Sequence, residues 1–106
     1  MKRVILESPF AGEVERNIKY ARACVRDCLK RGESPIASHL LFTQESILDD
    51  DILEERKWGI DAGLAWKEVA ELHVFYIDYG ISKGMQYGMD YATENKIPFE
   101  MRKLYS

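Results

Sequence analysis

The chain has 106 residues, 46% of them hydrophobic, enough for one domain spanning 1–106 with a thin core. Its 15 basic and 18 acidic residues give a formal charge of −3, so the basic excess that a nucleic-acid backbone requires is missing. No run of about 18 apolar residues predicts a membrane span.

Val4-Ile5-Leu6 is a compact apolar run that predicts a buried strand reaching to about Ser8. Glu7 and Pro9 interrupt the run too early for a signal-peptide core, and Pro9 and Gly12 break the strand. Val14, Ile18, Ala21, Val25 and Cys28 then fall at steps of four and three, the stripe of an amphipathic helix, with Gly32 as its stop. Cys24 and Cys28 lie four apart on that helix. That spacing predicts packed free thiols rather than a disulfide framework or a zinc site, and a cytoplasmic location.

Pro35 through Phe42 predicts a second strand carrying His39, and the polar, acidic stretch Thr43 to Asp51 a loop. A second helix is expected from about Ile52 to Ala70, weakened by Gly59 and Gly63. His73 to Asp78 predicts the third strand, Gly80 to Lys83 a turn, and Gly84 to Asn95 a third helix with Met85, Met89 and Ala92 on one face. Ile97 to Met101 predicts a last strand, placed at a sheet edge by Pro98. The order β-α-β-α-β-α-β implies an α/β fold: a small three-layer open parallel sheet, Rossmann-like or flavodoxin-like, of about four strands and three helices. So small a domain gains from a covering second copy, which predicts a homo-oligomer.

In such sheets ligands bind beyond the carboxyl ends of the strands, here loops 8–13, 42–51 and 78–83. Ser8, Pro9 and Gly12 permit a tight backbone approach, Phe10 can stack on a base or sugar, and the helix behind offers free N–H groups. Asp78 at a strand end can accept a ribose hydroxyl. Ser82 can cap the next helix, and Lys83 can attract phosphate. His39 is a candidate ligand contact, although a strand histidine is more often a structural hydrogen-bonder. Asp49-Asp50-Asp51 reads as a solvated charged loop rather than a metal site, and Trp58, Trp66, Tyr87 and Tyr91 as core or subunit contacts. The chain carries no GxGxxG fingerprint, Walker loop, Gly-x-Ser-x-Gly elbow, His-Glu-x-x-His or Cys-x-x-Cys, so no cofactor or metal is expected.

Ser8-Pro9-Phe10-Ala11-Gly12, with Glu15 and Asn17 opening the first helix, resembles the N-terminal motif of nucleoside 2-deoxyribosyltransferase-like proteins, and most closely their small, often phage-encoded relatives. Ser82-x-Gly84-Met85-Gln86-x-Gly88 resembles their second motif. The resemblance implies a pocket at Ser8, Pro9, Phe10, Gly12, Ser82 and Gly84 for a nucleoside, nucleotide or related sugar-base molecule. It also implies chemistry at an N-glycosidic bond, where the family's glutamate falls on Gln86. A neutral amide is a poor nucleophile but a good hydrogen-bonder. Three functions follow as expectations. The first is a binding protein, sequestering a nucleotide signal, in which Gln86 reads the ligand. The second is an N-glycosidase or 2-deoxyribosyltransferase in which Glu7, Asp78 or Glu55 replaces the missing carboxylate. The third is a structural or regulatory module without a small-molecule ligand.

Overall fold

The computed structural model of the chain describes residues 1–105. Strands β1 (Lys2–Glu7), β2 (Glu33–Ile36), β3 (Leu72–Tyr76) and β4 (Phe99–Arg102) form one sheet in the order β2-β1-β3-β4, every pair parallel. The helices are α1 (Val14–Lys30), α2 (Ser38–Leu41), α3 (Leu53–Lys67) and α4 (Lys83–Glu94). This is the small open parallel α/β sheet that the alternation of elements predicted, with one more helix.

The alternation of side chains along β1 divides the molecule. Val4 and Leu6 point to one face, where they pack with Val74 and Tyr76 of β3 and with Tyr20, Cys24 and Cys28 of α1. On the other face Phe75 packs with Met85 and Met89 of α4. β3 lies between β1 and β4 and is buried along its whole length, which is why Leu72-His73-Val74-Phe75-Tyr76 reads as one nearly continuous apolar run. Cys24 and Cys28 are buried free thiols on the α1 stripe. Burial pushes both above the ordinary thiol range, so they are inert. α1 stops where Gly32 takes a φ of +79°, and its N–H closes on the Leu29 carbonyl.

The second strand differs from expectation. β2 ends at Ile36, opposite Ile5, and residues 38–41 form the short helix α2, so His39 is helical. The Ala37 carbonyl accepts the N–H groups of both Leu40 and Leu41, drawing the chain into a turn where the ladder stops. α3 packs close behind: a Cβ on Gly63 would stand 2.9 Å from Ser38 Oγ, so glycine is what permits the approach. Gly63 is the one buried residue of α3. Trp58, Trp66 and Tyr87, expected in core or subunit contacts, are about half exposed at 54%, 47% and 58%, while Tyr91 is partly buried and stacks on His73.

The Arg102 guanidinium grips both oxygens of Glu33 at 2.8 and 2.7 Å, joining β4 to β2, the opposite edges of the sheet. The same group reaches the Tyr76 hydroxyl at 3.3 Å, which in turn donates to Asp27 of α1 at 2.6 Å. No helix among the described residues is long and apolar enough to cross a membrane.

Candidate functional site

From β1 the chain runs out to β2 on one side and returns to β3 on the other. The carboxyl ends of β1 and β3 therefore flank the topological switch point of the sheet, where open α/β folds form their ligand crevice. Glu7, Ser8, Pro9 and Phe10 leave β1 there, and Ile77, Asp78 and Tyr79 leave β3.

Glu7 follows Ile5 in the strand alternation and points to the α4 face, where its side chain is only 15% exposed. Room for it exists because position 88 is glycine: a Cβ there would collide with Glu7 Oε2 and crowd Phe75 at 3.3 Å. Lys67, at the end of α3 and 12% exposed, brings its Nζ to 3.4 Å from Oε2. The two form a salt bridge, and no other described residue donates to Oε2. Burial raises the Glu7 carboxyl above its ordinary range, and Lys67 offsets only part of the effect. The Lys67 ammonium also lies over the rings of Tyr87 and Tyr91, at 5.7 and 5.4 Å. His73, fully buried on the same face, stacks with Tyr91, and neither of its ring nitrogens has a partner among the described residues. Burial, helped by Lys67, holds it neutral with its pKa down to about 4.

Ser8 turns the opposite way from Glu7 and meets His39 of α2, Oγ to Nε2 at 2.6 Å. Burial lowers the His39 pKa to about 4, so the ring is neutral at pH 7 and the pair is a neutral hydrogen bond. Behind it the loop is shaped by Asn17, 1% exposed, whose amide donates to the carbonyls of Phe10 (2.8 Å) and Ala11 (3.2 Å).

Asp78 is more engaged than the sequence suggested. Oδ1 accepts from the Tyr20 hydroxyl at 2.5 Å and the Leu104 N–H at 2.9 Å, and Oδ2 accepts from the Tyr105 N–H at 2.9 Å. Partial burial acts to raise its pKa, but these donors outweigh it and hold the carboxyl below its usual range. Tyr79 sits edge-on to Tyr20, with the Arg16 guanidinium 4.1 Å over its ring. Gly80, at φ +85°, completes the turn, and Ser82 caps α4 by accepting the Met85 N–H at 3.2 Å. Lys83 and Gly84 are exposed in the first turn of α4, and Gly12 is exposed ahead of α1.

Gln86 lies off the buried side of α4. Met85, Gly88, Met89 and Ala92 are the buried side of α4; Gln86 is one step out of phase, in solvent, and donates to Asp90 at 3.0 Å. Within the second motif it is position 88 that faces the Glu7 carboxyl. The acidic loop spends its carboxylates on its own backbone, Asp49 accepting from Asp51 N–H and Glu55 from Asp49 N–H. Two open depressions border the 43–50 loop and α3. One, of about 530 Å³, is lined by residues 43, 45–50 and 55; the other, of about 750 Å³, by Leu53, Glu54, Arg56, Lys57 and Ile60. Neither includes Glu7, Ser8 or Asp78.

The structure thus joins Ser8 to His39 and sets Glu7 against Lys67 and Gly88, while Gln86 is exposed and bonded to Asp90. Three roles were not anticipated, that of the motif residue Asn17 among them. Lys67 is one helical turn after the buried Gly63, and Asn17 stands three residues after Val14 and four before Ala21, within the apolar stripe. Both positions were readable from helical spacing. The tie between Asp78 and residues 104–105 had no local signal.

Residues 2–102 match the family described as Domain of unknown function (DUF7768). The chain belongs to that family. The match covers β1 through β4 and so includes the carboxyl ends of β1 and β3, Glu7 with Ser8 and Asp78 with Ser82. A comparison with curated proteins gives no match.

Proposed function

We propose that this DUF7768 chain binds a nucleoside, nucleotide or related sugar-base molecule between the carboxyl ends of β1 and β3, and that Glu7 is the group that meets it. One observation carries the reading: a carboxyl group is buried at the switch point and shifted toward its neutral form, and Lys67 at 3.4 Å is its one salt-bridge partner among the described residues. Such groups concentrate at binding and catalytic sites. The same strand ends also carry the 8–12 loop with Phe10 and Gly12, the Ser8–His39 pair turned to the opposite face, Asp78, and the loop leading into the first turn of α4. There Ser82, Lys83, Gly84 and the helix N-terminus suit a phosphate. The Glu7 carboxyl is a hydrogen-bonding partner for the ligand, and holding the ligand needs no turnover.

A second reading, N-glycosidic-bond cleavage, is favoured by the same shift. A carboxyl that keeps its proton at higher pH is suited to protonating a departing base. Thermal-shift measurements with a panel of nucleosides and nucleotides, followed by chromatography of the incubated mixtures, separate the readings. The binding reading expects a rise in the melting temperature that is lost in Glu7→Gln, and no free base. Base released by the wild type but not by Glu7→Gln selects the enzyme. No shift with any member of the panel would leave a regulatory module acting through surfaces such as the exposed Leu53 and Ile60 of α3.

A further inference from the structure

Asp78 is fixed from one side and occupied from the other. The buried Tyr20 hydroxyl donates to Oδ1 and accepts the Asp78 N–H at 3.0 Å, so α1 and β3 hold the carboxylate in place without help. Two consecutive backbone N–H groups also bind it, Leu104 on Oδ1 and Tyr105 on Oδ2. These belong to a short segment leaving β4. Arg102 is 5% exposed and tied to Glu33, so the segment starts from a fixed post. Lys103 is exposed, Leu104 packs partly on the core, and Tyr105 is 62% exposed with its ring 6.4 Å from that of Tyr20.

We infer that residues 103–105 form a removable strap that stands in for a ribonucleoside on Asp78, and that the ligand of this crevice carries a vicinal diol. The strap offers two neighbouring donors, one to each carboxylate oxygen, with an aromatic ring attached beside them. Adjacent sugar hydroxyls linked to a base present the same set: two O–H donors for one carboxylate and a flat ring for Tyr20 and Tyr79. The exchange conserves hydrogen bonds, since each lost N–H donor is replaced by an O–H donor, and the charged acceptor is never left bare. A sugar lacking one hydroxyl leaves one oxygen short of a donor. This inference rests on the ligand site proposed above.

Amide hydrogen exchange of the 106-residue chain tests it, read at the Leu104 and Tyr105 N–H groups with and without saturating adenosine, and with 2′-deoxyadenosine as the matched control. The expected result is exchange at both amides accelerated at least tenfold by adenosine, and adenosine binding at least tenfold tighter than the deoxy form. A second variant, Tyr105→Pro, removes the donor to Oδ2 at an exposed position. Because a ligand no longer has to displace a fully bonded strap, this variant is expected to bind adenosine several-fold more tightly. Adenosine binding with the two amides still protected overturns the strap and leaves the binding site standing. Equal affinity for the two nucleosides overturns the diol. Absence of binding to both wild type and Tyr105→Pro overturns the site itself and the strap with it, whereas binding to the variant alone supports both.

Discussion

Glu7 and Gly88 share one volume, so neither can be changed without consequence for the other. Alanine is better than glycine inside a helix by about 1 kcal/mol, but forcing a methyl into a filled space costs about 1–3 kcal/mol. Gly88→Ala is therefore expected to destabilise the wild-type chain, and to be neutral or stabilising once Glu7→Ala has emptied the space. Urea denaturation of the four members of this double-mutant cycle should give a coupling of about 1–3 kcal/mol. Additive effects would mean that α4 shifts freely and that the fit is unimportant. The strand alternation in the sequence already turned Glu7 toward the same face as Ile5. Its partner lies sixty residues on and its accommodating glycine eighty-one, and no local pattern reports such distances.

Among the elements, β1, α1, β3 and α4 were legible because each buries a simple stripe: period two, period 3.6, or a continuous run for the strand covered on both faces. Pro35 to Phe42 misled because an eight-residue apolar run has the same composition as a strand or as a strand that breaks into a helical turn. What decides is whether the neighbouring ladder continues, and here it stops at Ile5–Ile36. The same non-local logic governs the edges of the sheet. Arg102 on β4 and Glu33 on β2 form a bidentate pair almost out of water. Removing one partner of such a pair leaves an uncompensated buried charge at about 3–5 kcal/mol, whereas replacing both by apolar groups is often neutral. Arg102→Met is thus expected to lower the melting temperature by on the order of 15 °C. The double variant Arg102→Met/Glu33→Met should recover most of that loss in a calorimetric scan. No recovery would show that the pair does more than neutralise its own members.

For the molecule as a whole, the buried ionisable groups set a pH window. The folded-state pKa values of His39 and His73 are both depressed to about 4, below the ordinary 6.5. The unfolded chain therefore takes up protons first, and the stability present above pH 6.5 is lost as the pH falls toward 4. Glu7, raised by burial, acts in the opposite sense: its contribution is full on the acid side and is lost as the pH rises through its folded-state pKa. Replacing His73 by Phe isolates one histidine term. Urea denaturation at pH 7 and pH 4.5 should show the variant losing about 2 kcal/mol less than the wild type between the two. Equal losses would mean that His73 is already charged in the folded state. The grip of Arg102 on Glu33 also has a consequence for how the protein is made. Translation delivers Glu33 and the first two strands well before the arginine that neutralises them, so a nascent chain holds an acid it cannot yet tuck away. β4 follows β1, β2 and β3 in the chain, so the bridge between the two sheet edges can close only after all four strands have been made.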